Sequence, residues 1–330
     1  MPRLLKTCFL PLAAALAACL SLAPPAVADS FGSGANAFTI EFVSIGHPGN
    51  PPDTTGQPNP AGSVPYAFRI GKYEISRSMI EKANAEGGLG ITLADMTLFG
   101  GNGPNKPATG VSWFEAARFV NWLNESTGNA PAYKFVPVDR FSPPEIVASQ
   151  GFVLWQPTDP GYNPDNLFRN TLAKYFLPSA DEWYKAAFYD HVAGVYWDYA
   201  TGSNFPPIAI ASGTAPGTAV YQQMLAAGPA DVLQAGGLSP NGTMGQNGNA
   251  HEWQETALDL INDDVLEARS LRGGMWEFSA LAAQFSFGTD PSNANFSLGF
   301  RVASIVPEPS APVLIATALL GAMGMLRKHC

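Results

Sequence analysis

The chain has 330 residues, with 18 Lys+Arg against 27 Asp+Glu and three cysteines. That length supports a substantial core and excludes a disulfide-stapled mini-protein, while a formal charge of −9 argues against the basic face on which nucleic-acid binding depends. With 33 Gly, 29 Pro and only 14% charged residues, the composition is that of a loop-rich globular chain, short of the Gly/Pro content of a disordered one.

The first 28 residues read as an export signal. Arg3 and Lys6 precede an apolar run from Cys8 to Leu22, and Ala26-Val27-Ala28 forms a small-residue cleavage site before Asp29. Those are the parts of a secretory signal peptide. Pro24 and Pro25 stop the run short of a membrane-spanning helix. Leu16-Ala17-Ala18-Cys19 also resembles a lipoprotein box, which leaves a lipidated Cys19 as the alternative start.

Between Phe38 and Ser304 no repeat or low-complexity linker interrupts the chain, so residues 29–305 are expected to form one domain. Alternation predicts strands over Phe38–Ile45 and Tyr66–Ile70, and Pro/Gly/Asn-rich stretches at His47–Gly62 and Gly100–Pro107 predict loops. Ser78-Met-Ile-Glu81, Ser112-Trp-Phe-Glu115 and Ser179-Ala-Asp-Glu182 each fit the capping-box pattern that opens a helix. The second continues with Ala116, Ala117, Phe119, Val120 and Leu123 at helical spacing and is expected to stop at Gly128 or Asn129; the third places Trp183, Ala186 and Ala187 on one side. Few short helices among strands and long loops predict an α+β fold.

The chain closes with Val306-Pro307-Glu308-Pro309, an apolar stretch from Ala311 to Leu326, and Arg327-Lys328. As a helix that stretch spans about 24 Å, short of a ~30 Å bilayer core, with its basic end on the cytoplasmic side. It resembles the PEP-CTERM sorting signal of Gram-negative bacteria. The resemblance implies processing by an exosortase, transient anchoring in the inner membrane through residues 306–330, and delivery to the cell surface or extracellular matrix, in company with exopolysaccharide. Losing both ends removes four basic residues (Arg3, Lys6, Arg327, Lys328) and one acidic residue (Glu308), deepening the charge to about −12. It also removes Cys8, Cys19 and Cys330, so the mature domain holds no thiol.

Six ordered blocks resemble the formylglycine-generating enzyme (sulfatase-modifying factor) family, whose fold is C-type-lectin-like. They are Lys72-Tyr73-Glu74-Ile75-Ser76, Val111-Ser112-Trp113, Leu177-Pro178-Ser179 through Trp183, Gly248-Asn249-Ala250-His251-Glu252-Trp253, Arg272-Gly273-Gly274-Met275-Trp276 and Gly299-Phe300-Arg301-Val302-Ala303. The resemblance implies the α+β, loop-rich fold. It does not carry the oxidase activity over, because the family's copper-binding cysteine pair falls here on Phe278 and Ala283. A thiolate is the metal ligand in that chemistry. The three-histidine iron set of related enzymes has no counterpart among the scattered His47, His191, His251 and His329. Neither copper nor iron is therefore expected.

By the same resemblance, calcium is the expected ion, held by the side chains of Asn249 and Glu252 and the carbonyls of Gly248 and Ala250. Oxygen donors on a tight loop suit that ion, and the plain alternative is that these groups hydrogen-bond the loop. His251 stands where the family carries Trp; it is either a ligand contact or a packed loop residue. Glu252 and Glu255 are a weak candidate acid/base pair. The window Met275–Ser297, with Trp276, Phe278, Phe285, Phe287, Phe296, Asn293 and Asn295, lines the surface pocket in lectin-like folds and suits sugar or peptide contacts. Arg272 and Arg301 are expected to be buried and paired, and Trp113, Trp183 and Trp253 to be core. The expected function is non-catalytic binding of a glycan or protein ligand, an extracellular polysaccharide or a surface protein, through Trp276, Phe278, His251, Asn293 and Asn295. The alternative is an enzyme of the same superfamily with altered chemistry.

Overall fold

The computed structural model describes residues 27–279 and 283–306. The basic and apolar parts of the export signal and the sorting signal from Pro307 onward lie outside the described residues. Among the described residues no helix is long and apolar enough to cross a membrane.

Two sheets organise the domain. The first contains β1 (Val27–Phe31), β2 (Phe38–Ile45), β3 (Phe68–Gly71), β4 (Tyr175–Phe176) and the last strand, Ala303–Ile305. The second contains β5 (His251–Ala257), β6 (Arg269–Arg272), β7 (Phe287–Thr289) and β8 (Leu298–Phe300). Numbering Ala303–Ile305 as β9, the first sheet runs β1-β2-β3-β9-β4 and is antiparallel throughout. The second runs β7-β6-β5-β8, with β5 and β8 parallel. Both ends of the domain thus meet in one sheet, while the long stretch between them supplies the loops and the second sheet.

The alternation of β2 holds over its first half, where Phe38, Ile40 and Phe42 share one buried face; from Val43 both faces are covered, with Val43 and Ile45 buried on the other side. The predicted strand at Tyr66 begins instead at Phe68, because its partner β2 ends at Ile45, directly opposite Phe68; the Tyr66 hydroxyl donates to Glu182 at 2.8 Å. The site expected for signal cleavage, after Ala28, falls within β1. Asp29, just beyond it, is tied to Arg69 at 2.6 Å and to the Tyr175 hydroxyl at 2.8 Å. Burial alone raises that carboxyl, but the hydrogen bonds from Arg69 and Tyr175 hold it below its ordinary value.

Four helices are present among the described residues: α1 (Arg77–Gly87), α2 (Trp113–Ser126), α3 (Pro144–Ala148) and α4 (Ala180–Phe188). The capping boxes at Ser112/Glu115 and Ser179/Glu182 both form. The one expected at Ser78/Glu81 does not: α1 is capped by Ser76, whose side chain accepts from the Met79 amide. The backbone decides this, since Ile75 still donates to the Phe300 carbonyl of β8 and Ser76 bridges Pro107, holding the chain extended until Arg77.

Helix α2 is buried on nearly every side, from Trp113 through Asn124. The Asn124 amide donates to the Tyr175 carbonyl at 2.8 Å and accepts from the Tyr175 N–H at 2.9 Å, extending the hydrogen bonding of β4 into the helix. Trp113 packs edge-on against Tyr133 and Phe152, and Phe119 packs edge-on against Phe300. Removing the α2 cap with Ser112→Ala is expected to cost about 1 kcal/mol, read by urea unfolding with the native circular dichroism retained. A loss below a few tenths of a kcal/mol would mean that packing alone fixes the start of α2.

Candidate functional site

The second sheet carries the segments singled out in the sequence. Gly248 has φ 122°, and a Cβ there would meet the Val220 carbonyl oxygen at 2.1 Å, so only glycine fits this turn. Asn249 follows in the left-handed region, φ 64°, with its side chain fully buried. Its Oδ1 accepts from the Ala230 amide at 2.8 Å and its Nδ2 donates to Glu74 at 2.5 Å. The Ala250 amide donates to the other Glu74 oxygen at 3.1 Å.

Glu252 makes a two-pronged ion pair with Arg301, at 2.5 and 2.6 Å, and accepts from the Trp183 indole at 2.6 Å. Arg301 also donates to the carbonyls of Gly71 and Met244 at 2.9 and 2.8 Å. Glu74 lies against this pair. Its burial, reinforced by the nearby charge of Glu252, pushes its carboxyl up to about 8, against the opposing pull of Arg301.

These bonds bear on calcium, an ion that takes 6–8 oxygens. The Glu252 oxygens serve Arg301, the Asn249 Oδ1 serves Ala230, and the Asn249 carbonyl accepts from the Trp276 amide at 3.1 Å. Among the described residues no group of three or more His, Cys, Asp or Glu side chains is placed to hold a metal. The two side chains expected to hold calcium, Glu252 and Asn249, are thus engaged by Arg301 and by Ala230 and Glu74, and a guanidinium stands beside Glu252. Glu252 and Glu255 likewise form no acid/base pair: Glu255 is bound by Arg169 at 2.7 Å, in a separate cluster.

The loop after β6 divides the predicted ligand residues. Trp276 is fully buried, donating to the Leu225 carbonyl at 3.0 Å and packing on Phe296, so the expectation that it meets a ligand is corrected to a core role. Ala283 is also buried, in a cluster with Trp183, Tyr184 and Phe188. Asn293 donates to the Thr289 hydroxyl at 3.0 Å, and the Asn295 side chain accepts from the Ser297 amide at 3.1 Å; both amides shape turns. Arg272 is buried as expected but makes no ion pair among the described residues. It donates to the Gln284 carbonyl at 3.0 Å and lies over the Tyr184 ring, with Nε and Nη2 unsatisfied.

Phe278, Phe285 and Phe287, by contrast, are 46%, 48% and 38% exposed. Phe278 and Phe287 meet His251 edge-to-face, with centroids 5.3 and 4.8 Å from its ring. The imidazole is buried, its Nδ1 has no partner, and burial lowers it to about 4. It is therefore neutral at physiological pH and a poor base. A second segment borders this face. Gln222 and Gln223 donate backbone hydrogen bonds to the carbonyls of Phe278 and Trp276 at 2.9 and 2.8 Å, presenting Met224 at 80% exposure. No periodicity or motif in the sequence marks Met224; only the backbone pairing across fifty-odd residues places it here.

A family model described as the sulfatase-modifying factor enzyme 1-like domain matches residues 42–306. No curated protein matches the chain. The structure is similar to Treponema denticola variable protein 1, with TM-score 0.57 and 19% identity over 85% of this chain and 99% of that one. It is similar also to the crystal structure of CarF, with TM-score 0.54 and 18% identity over 81% of this chain and 99% of that one. At these identities the likeness is one of fold, and the α+β, C-type-lectin-like architecture expected from the motifs is the one observed.

Proposed function

The chain belongs to the sulfatase-modifying factor enzyme 1-like family, and from that premise we propose that it is an exported, non-catalytic binding protein that holds a glycan or protein ligand on the face of Phe278 and Phe287, which meet over His251. The exposure of those two phenylalanines carries this reading, with Phe285 exposed nearby in sequence. They follow the Arg272-Gly273-Gly274 turn, where the family chemistry uses a thiol pair that here reads Phe278 and Ala283. Exposed, clustered aromatic surface on a folded domain marks interaction sites, and aromatic rings give large contact area at low conformational cost. His251 beneath them is neutral and offers a hydrogen bond rather than a charge.

The amino-terminal signal and the Pro307-Glu308-Pro309 tail support export to the cell surface or matrix with exosortase processing. An extracellular polysaccharide or a surface protein is then the ligand within reach.

The test is binding of the mature chain to the extracellular polymers and surface proteins of its producing cell. Phe278→Ala and Phe287→Ala are each expected to weaken binding about tenfold, roughly 1.4 kcal/mol, with little change in melting temperature because both rings are partly exposed. Binding that ignores both substitutions would sink the proposal. Stoichiometric copper or iron accompanied by turnover would instead establish the enzyme alternative.

A further inference from the structure

A cleft of about 540 Å³ opens where β2 ends and shares no lining residue with the phenylalanine face. Its lining carries two imidazoles and an ammonium, from His47, His191 and Lys72, and no carboxylate. Val43, Leu238 and Pro240 form its apolar wall. The lining thus gathers hydrogen-bond donors against an apolar wall.

The histidine pair is built by the fold. His47 sits at φ 54°, a left-handed conformation uncommon for any residue but glycine. The buried Lys185 of α4 holds this turn by donating to the His47 carbonyl at 2.9 Å. His191, just beyond α4, brings its ring to 4.9 Å from that of His47, with 28° between the planes. The Asn241 amide donates to the carbonyls of Lys185, Ala186 and Tyr189, at 3.2, 3.2 and 2.7 Å, and so fixes the loop that floors the cleft against the end of α4.

Charged groups of both signs surround the histidines. Glu41 lies 3.3 Å from Lys72. Asp190 accepts from the amides of Val192 and Ala193 and from the Trp197 indole. Glu41 thus offsets Lys72, Asp190 faces His191 electrostatically, and Lys185, lowered to about 8 by burial, has no ion-pair partner among the described residues.

We propose that this cleft binds a carboxylate-bearing small ligand or sugar residue, with His47 and His191 donating hydrogen bonds to the carboxylate and the apolar wall packing on its carbon frame. The volume falls within the range of small-ligand sites. A transition metal is the less fitting occupant, since such sites draw three or more protein ligands and only two imidazoles converge here. Free organic acids and the uronate units of an acidic polysaccharide share the recognised chemistry.

The experiment is calorimetric titration of the mature chain with galacturonate, an oligogalacturonate and a neutral galactose oligomer. The acidic ligands are expected to bind saturably. The neutral oligomer is expected not to bind. His191→Ala, and His47→Gly, which suits the left-handed backbone, are each expected to weaken binding about tenfold without lowering the melting temperature. Lys72→Gln is expected to weaken it as well. Equal affinity for monomer and oligomer identifies a free acid as the ligand, and a much tighter oligomer identifies a polymer. Failure of both uronates to bind, equal binding of the neutral sugar, or histidine-dependent binding of zinc alone would overturn the proposal. Loss of ligand binding at Phe278 has no bearing on these readouts.

Discussion

Arg301→Ala is expected to destabilise the protein by about 3–5 kcal/mol, the range for removing one partner of a buried ion pair. The guanidinium is fully buried and joins Glu252, the Gly71 carbonyl and the Met244 carbonyl, tying both sheets to the loop before β5. Without it, Glu252 and Glu74 face each other in the interior with no cation between them. Glu74 is already pushed up to about 8 by burial and by Glu252, with Arg301 opposing the rise, so its loss drives that carboxyl higher still. Arg301→Lys keeps the charge but not the planar fork, and is expected to recover only part of the stability. Guanidinium unfolding at pH 7 measures both. A loss under about 1 kcal/mol for Arg301→Ala would show that the pair is dispensable to the fold.

Arg169→Ala is expected to show a loss of similar size, about 3–5 kcal/mol at neutral pH, with a pH dependence that identifies its cause. Arg169 binds Glu182 at 3.0 Å through two nitrogens and Glu255 at 2.7 Å, and lies over the Phe176 ring at 3.8 Å. Tyr66 and Tyr133 donate to the same two carboxylates at 2.8 Å each. Burial tends to raise the Glu182 carboxyl, yet Arg169 holds it below its ordinary value. A lowered carboxyl contributes stability that is present above its unfolded value and is lost as pH falls through the folded one. In the variant that sign reverses, because an unpaired buried carboxylate prefers its neutral form. The stability gap between wild type and Arg169→Ala is therefore expected to be widest near pH 7 and to narrow toward pH 4. A gap independent of pH would assign the loss to packing on Phe176 instead.

Local signals transferred well from sequence to structure. The capping boxes at Ser112 and Ser179 need only residues three apart, and both form. The alternation of Phe38–Phe42 needs only one buried face, and it holds, while from Val43 onward both faces are covered. The pattern at Ser78 failed because the extended pairing of Ile75 and Ser76 with distant segments outranked a local cap. The candidate site was less legible for the same reason. Which aromatics of Met275–Ser297 turn inward depends on what packs behind them: Leu225 and Phe296 take Trp276 into the core, and Phe278 stays outside. Asn249 and Glu252 read as oxygen donors until Ala230, Glu74 and Arg301 are seen to engage them.

By itself the sequence determined the family, the α+β class, the caps of two helices and the absence of cysteine between Asp29 and Ile305, because motif order, short-range spacing and composition are properties of the chain as written. Only the tertiary structure decided which acid meets which base, which rings face solvent, and that His47 and His191 share one cleft. Those outcomes depend on burial and on contacts between residues far apart in the chain, which no local pattern encodes.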